Sequence, residues 1–357
     1  MRILIAGAGA IGSAVGGSLA LAGHRVALLG RRAYVDRVRA QGLILERDGR
    51  RETVCDIAAD TEAGPLIHSM GGVDLTIVTT KVFDTQAVCR AVGGAASTIV
   101  LQNGVGGDAI AAEVLGDVPI VSGVITWVVA TRDASDGAPD GATPAPGVYT
   151  VRSRRRGLAL APYTGSAGLV AGLARILRRA GLRCHTYDDA RAIRWSKLLL
   201  NMLGNAIPAI VDMSPAEVFA DRRLYALERA AFLEAVGVMR AAGIPVVDLP
   251  GYPVRALVAL MERLPEEVSR PLMARLIAGG RSGKAPSLQL DVQRGRTRSE
   301  VTALNGAVAG EAQRLGVPAP DNSAINATLL ALLAGDVPRS DLARHPEALL
   351  RRVVATD

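Results

Sequence analysis

The chain has 357 residues, 49% hydrophobic and 21% charged, which suits two globular domains and argues against disorder, collagen or coiled coil. The formal charge is +7 with only 3% aromatic residues, so base-stacking platforms are disfavoured and an anionic small molecule suits the sign better than nucleic acid. Gly7, Gly9 and Gly12 interrupt any signal-peptide helix, and no run reaches the ~18 apolar residues that cross a bilayer, so a soluble chain with no membrane partner is expected. The basic run Arg152 to Arg156 reads as a solvated hairpin. Cys55, Cys89 and Cys184 lie far apart and the four histidines lack ligand spacing, which predicts a reducing cytoplasm, no disulfide framework and no metal site.

In chain order, residues 2–6 (RILIA) read as a buried strand, 11–22 as a tightly packed helix and 24–30 (HRVALLG) as a second strand. Strand, glycine turn, helix and strand within about 30 residues make a parallel βαβ unit. Further strands are predicted at 73–80, 97–102 and 119–130, separated by helical stretches as a doubly wound sheet requires. Residues 131–147 are turn formers and read as an exposed loop, flanked by WVVAT and VYTVRS and then LALAPY in antiparallel arrangement. A helix near 167–180 and a strand near 182–187 complete this part. Beyond about residue 188 the pattern turns to long helical runs, least regular over the proline-rich 245–271. The expected architecture is therefore α/β plus all-α: a Rossmann-like domain over 1–188, then an all-helical domain over 189–357 that carries substrate and catalysis.

The segment Gly7-Ala8-Gly9-Ala10-Ile11-Gly12 is a GxGxxG between an apolar strand and a helix, the context that turns a weak motif into a dinucleotide site. Gly7 permits the turn, Gly9 lets backbone approach a pyrophosphate, and Gly12 lets helix and strand pack closely. The phosphates then meet the helix N-terminus. About 20 residues on, Gly30-Arg31-Arg32 replaces the acid that would hold a ribose 2′-hydroxyl, and a guanidinium fork suits a 2′-phosphate, so NADP(H) is expected. Lysine occurs only three times, at Lys81, Lys197 and Lys284, against 41 basic residues in all. Lys81 ends the TTK strand on the ligand-binding edge, where it suits a point charge near the cofactor. Gln102-Asn103-Gly104 closes the next strand there, and Asn103 suits a ribose hydroxyl or a substrate carboxylate.

In RAIRWSKLLLNMLGNAIPAI, Lys197, Asn201 and Asn205 stand four residues apart. On a helix each step of four drifts by only about 40°, so one face is expected to carry all three. An amine and two amides among leucines must find partners or a ligand, because burying them alone would cost a few kcal/mol. In so lysine-poor a chain, a retained lysine suits a place where a titrating amine is required.

The chain resembles the ketopantoate reductase (2-dehydropantoate 2-reductase) family over nearly its whole length: GAGAIG, Arg31, TTK, QNG, WSKLLLNMLGN and PSLQLDVQRGRTRSEVTALNG. The resemblance implies that Lys197 is the proton donor. It implies that Asn201 and Asn205 hold the substrate's hydroxyl and carboxylate ends, and that Asn103 touches cofactor and substrate. Ser287 matches the family's substrate serine, and Glu300 its acid near the nicotinamide ribose and the active site. Val129 falls where the family's backbone passes the cofactor. Glu300 lies one residue further past Asp291 than the family pattern, Asp84 replaces a glutamine that often binds the adenosine phosphate, and segments 131–147 and 245–284 are longer than usual. The implied function is NADPH-dependent reduction of 2-dehydropantoate to (R)-pantoate, with the active site between the domains of a cytoplasmic enzyme that can form a homodimer. Reduction of another 2-oxo or 3-hydroxy acid, and an NADP-sensing regulator, are the alternatives.

Overall fold

Ile3, Leu4, Ile5 and Ala6 are fully buried, a continuous apolar run of the kind that forms a parallel strand covered on both faces. That strand is the centre of the fold. The computed structural model describes residues 1–47, 49–132, 148–152, 156–281 and 285–354. The described strands are β1 (Arg2–Ala6), β2 (Arg25–Leu29), β3 (Leu43–Arg47), β4 (Arg50–Val54), β5 (Ala58–Asp60) and β6 (Leu75–Val78). Then come β7 (Thr98–Val100), β8 (Ile120–Ile125), β9 (Val128–Arg132), β10 (Val148–Arg152), β11 (Leu158–Pro162) and β12 (Cys184–Thr186).

Eight of these form one sheet in the order β12-β11-β8-β7-β6-β1-β2-β5, all neighbours parallel except β11 against β8. Register is set by the buried face, with Ile3 opposite Val26 on one side and Leu75 on the other. Helices α1 (Ala10–Leu21), α2 (Arg32–Gln41), α3 (Ala63–Met70), α4 (Thr85–Val92), α5 (Gly107–Leu115) and α6 (Ala167–Arg179) alternate with the strands.

The long strand expected over 119–130 divides at Thr126. Its N–H donates to the Gly157 carbonyl at 2.9 Å and its hydroxyl to that of Pro250 at 2.6 Å. The chain then leaves the main sheet and β9 pairs antiparallel with β10. A second sheet, β4-β3-β10-β9, follows from this; its antiparallel β9–β10 pair was expected, its β3–β4 hairpin and β3–β10 pairing were not. The β3–β4 hairpin gives no alternating signal, because Leu43 to Leu45 of β3 are all buried, while in β4 Arg50 to Thr53 are exposed and Val54 alone is buried. Of the expected loop at 131–147, residues 133–147 lie outside the described residues, as do 153–155 of the basic run.

The helical part comprises α7 (Ala190–Met202), α8 (Ala206–Val211), α9 (Pro215–Ala220), α10 (Arg222–Ala241), α11 (Val254–Arg263) and α12 (Glu266–Arg281). It continues with α13 (Ser287–Gln293), α14 (Asn305–Leu315), α15 (Pro320–Ala334), α16 (Arg339–Leu342) and α17 (Pro346–Val354). Residues 245–253 are irregular as expected, whereas most of the rest of 245–271 lies in α11 and α12, with Pro271 inside α12. Pro253 and Pro265 stand just ahead of α11 and α12, where a missing N–H costs nothing.

Packing divides the chain into two compact units. One holds Met1–Gln102, Gly106–Arg194 and Leu249–Tyr252; the other holds Asn103–Val105, Trp195–Asp248 and Pro253–Asp357. The changeover after the sheet thus falls between Arg194 and Trp195. No described helix is long and apolar enough to cross a membrane.

Candidate active site

Strand order reverses about β1, with β2 on one side and β6 on the other, and in such sheets ligands bind at the carboxyl ends beside the reversal. The loop after β1 carries the glycines. Gly7 has φ +111°, and an added Cβ would lie 2.6 Å from the Thr80 nitrogen. At Gly12 it would lie 2.5 Å from the Gly7 carbonyl oxygen and 2.7 Å from Thr79 Oγ1. At Gly9 it would meet nothing within 4 Å. The loop is therefore tight on its protein side and open on the other. Gly9 caps α1 without a side chain, and no acidic residue stands in the first turn, so the N–H groups of Ala10, Ile11 and Gly12 and the positive helix end are left for an anion. Ala8 is anchored beneath them by its N–H on the Leu29 carbonyl at 2.8 Å. This cradle fits a dinucleotide pyrophosphate.

Arg31 is the N-cap of α2 and Arg32 its first residue; both are exposed, and the first turn holds no acid. Asp60, at the end of the neighbouring strand β5, is a carboxylate near this turn that no sequence motif marks. Its backbone carbonyl accepts from Gly30, while its carboxylate is taken by Arg39 at 2.6 Å and by the Thr61 and Glu62 N–H groups. Those backbone bonds and Arg39 hold its pKa below the usual carboxylate value. Tyr34 packs over Gly30 and shares a hydrogen bond with Ser13 at 2.8 Å, and burial pushes its phenol up strongly.

Lys81 is half-buried at the end of the β6 loop, and its carbonyl accepts from Asp84 N–H at 2.9 Å. Gln102, 5% exposed, ties this loop to the next: its Nε2 donates to Thr80 Oγ1 at 3.1 Å, Thr85 Oγ1 at 2.9 Å and the Lys81 carbonyl at 3.3 Å. Thr79 closes the glycine loop by donating to the Gly7 carbonyl at 2.6 Å. Neither Thr79 nor Gln102 was singled out for these bonds, although both stand in the TTK and QNG segments. Val129 lies on β9 opposite Val151 and packs partly buried against the core of the sheet unit.

In the helical unit, Asn201 Nδ2 donates to Asn103 Oδ1 at 3.3 Å, and Asn205 Nδ2 donates to the Asn201 carbonyl at 3.0 Å. Asn205 Oδ1 accepts from Leu288 N–H at 3.3 Å, next to Ser287, the exposed first residue of α13. Val105 N–H donates to the Ala303 carbonyl at 3.0 Å, and Ala303 ends the short 3-10 turn that begins at the buried Glu300. Gly104 is required in this approach: φ is +83° and an added Cβ would lie 2.7 Å from that of Ala303. Four separate stretches are thus hydrogen-bonded into one neighbourhood. Lys197 is half-buried one turn before Asn201 on α7.

The three polar residues do not share one uninterrupted helix face, as their spacing predicts. Helix α7 ends at Met202, Gly204 takes φ +58°, and Asn205 caps α8 with φ −126°. A left-handed glycine ends the helix, and the Gly204 N–H is received by the buried Glu228 carboxylate at 3.0 Å. The turn still returns Asn205 to the Asn201 carbonyl. Among the described residues, no group of three or more His, Cys, Asp or Glu is arranged to hold a metal.

A glycine cradle beside the reversal of a parallel sheet, in a chain that continues into helices bearing one amine and several amides, defines a dinucleotide-dependent oxidoreductase. The sequence models described as "Ketopantoate reductase PanE/ApbA" and "Ketopantoate reductase PanE/ApbA C terminal" match residues 3–137 and 189–333. The chain belongs to the ketopantoate reductase family. It is 29% identical to a 2-dehydropantoate 2-reductase of Archaeoglobus fulgidus, covering 94% of this chain and 97% of that one. A protein of the same name from Halobacterium salinarum is also 29% identical, over 90% of this chain and 95% of its own. Among solved structures, the PanE/ApbA family ketopantoate reductase of Ralstonia eutropha JMP134 matches with a TM-score of 0.72 at 29% identity, over 94% of this chain and 99% of that one. A D-mandelate dehydrogenase with NADH shares the fold at 22% identity and a TM-score of 0.68.

Proposed function

We infer that the protein reduces 2-dehydropantoate to (R)-pantoate with NADPH, the step that feeds pantothenate and coenzyme A synthesis. The observation that carries the reading is the Asn103–Asn201–Asn205 chain of hydrogen bonds beside Lys197 and the Glu300 turn. The names of the full-length relatives support the substrate. Bound NADPH supplies the hydride. Lys197 stabilises the charge that grows on the substrate's keto oxygen and passes it a proton. Asn201 and Asn205 hold the hydroxyl and carboxylate ends of the acid, each already oriented by a partner and so paying little to bind. Ser287 adds a hydroxyl to the carboxylate side, and Glu300 and Asn103 hold the nicotinamide ribose next to the acid. Gly7 to Gly12 carry the pyrophosphate, Arg31 the 2′-phosphate, Lys81 the adjoining charge, and the Val129 backbone lies along the cofactor. The reading places the enzyme in the cytoplasm, with a small 2-oxo acid as its partner and apolar helices that permit a homodimer.

The test is NADPH oxidation followed at 340 nm with 2-dehydropantoate, run beside a panel of 2-oxo acids. Robust turnover with 2-dehydropantoate is expected, reduced about 10²-fold or more in Lys197→Ala. Because a D-mandelate dehydrogenase shares the fold, the panel includes an aryl 2-oxo acid. Turnover with that acid alone overturns the substrate and keeps the chemistry. Cofactor binding without any turnover favours the NADP-sensing alternative.

A further inference from the structure

Arg194 is an arginine that the reaction does not use and that water does not reach: it is 5% exposed. Its guanidinium is almost fully engaged within the sheet unit. Nε donates to Asp108 Oδ2 at 2.7 Å and to Ser122 Oγ at 2.9 Å; Nη2 donates to Asp108 Oδ1 at 2.7 Å. Ser122, fully buried on β8, donates in turn to Asp108 Oδ2 at 3.0 Å. The remaining bonds leave this cluster for the backbone. Nη2 donates to the Val100 carbonyl at 2.6 Å and Nη1 to the Gln102 carbonyl at 2.5 Å.

Val100 is the last residue of β7, and Gln102 lies two residues past it, where the strand has ended and a backbone acceptor needs another donor. Asn103 follows directly. One planar cation therefore clamps the last residues before the QNG turn, and Asp108 and Ser122 orient the cation. A buried charge pair of this kind is weak support for stability, since an apolar pair of equal volume often serves as well. Its specific return is geometry.

We propose that Arg194, oriented by Asp108 and Ser122, is a positioning residue that sets the backbone of the QNG turn and through it the side chain of Asn103. This rests on the reading of Asn103 as a cofactor and substrate contact. It also gives helix α7 a second duty, since Lys197 lies three residues beyond Arg194 on the same helix.

The experiment uses the full chain with Arg194→Lys, which keeps the charge but loses the fork, and the paired Arg194→Met/Asp108→Leu, which removes both buried charges together. Amide hydrogen exchange on the cofactor-free proteins reads the turn directly. Exchange over residues 101–106 should quicken at least 10-fold in both variants, and exchange in α1 by no more than the lowered unfolding midpoint accounts for. In turnover, Asn103→Ala should cost at least 10-fold in kcat/KM in the parent but less than 3-fold in either variant background, because the clamp acts through Asn103. Unchanged exchange in the turn, or an Asn103→Ala cost that is the same in all backgrounds, overturns the proposal. If no 2-oxo acid is turned over, the reductase reading fails, while the exchange result still decides the clamp.

Discussion

An added Cβ at Gly12 would lie 2.5 Å from the Gly7 carbonyl oxygen, whereas at Gly9 it would meet no atom within 4 Å. These two glycines serve different ends, and substitution separates them. Gly12→Ala forces backbone apart and should cost about 1–3 kcal/mol in urea unfolding. Gly9→Ala should leave the urea midpoint unchanged, because Gly9 has φ −84°, and should weaken NADPH binding at least 10-fold by filling the side from which the pyrophosphate approaches. A Gly9→Ala protein that binds NADPH normally would remove the cradle from the cofactor site. The glycine motif was legible because its constraint is local. Arg194 was not, since one arginine among so many carries no contrast in sequence and its partners Asp108 and Ser122 are 86 and 72 residues away.

At the scale of elements, short helices depend on their ends. Helix α9 has six residues and opens with a complete capping box: Ser214 Oγ accepts from Glu217 N–H at 3.2 Å, and Glu217 Oε2 accepts from Ser214 N–H at 2.8 Å. The bond from the Ser214 backbone, with help from the Ser214 side chain and Arg344, lowers the Glu217 carboxyl from 4.5 to about 2. A lowered folded-state pKa stabilises the fold above pH 4.5, and this contribution fades as pH falls toward 2. Thermal unfolding between those pH values should therefore fall less steeply in Glu217→Gln than in the parent, and an identical slope refutes the assignment. Ser214→Ala should cost about 1 kcal/mol. Element boundaries were less legible than element types. The helix across Lys197 and Asn201 has a clear apolar period, but its end at Gly204 depends on a left-handed backbone that Glu228 receives from another helix.

At the scale of the whole molecule, cofactor binding is linked to folding, because a ligand held only by the native state raises its stability. NADPH at 100 times its Kd should add about 2.7 kcal/mol, and NADH at the same concentration less. Arg31→Ala should remove most of that difference in Tm between the two cofactors; equal shifts in the parent would overturn the 2′-phosphate assignment. The Rossmann-like half and the helical half were legible from one sequence, because strand and helix periods and a glycine turn are encoded within a dozen residues. Of the second sheet only the β9–β10 pair was, since β4 is polar and pairs at an exposed edge, and β10 reaches β3 only through tertiary pairing. Lysine scarcity and the spacing of Lys197, Asn201 and Asn205 singled out these three residues from sequence alone. What only the tertiary structure decided is how those groups are held: Asn103 meets Asn201 across 98 residues, and Asn205 meets Leu288 across 83. Hydrogen bonds depend on direction and on fractions of an ångström, and no local pattern of residue types encodes a meeting between such distant segments.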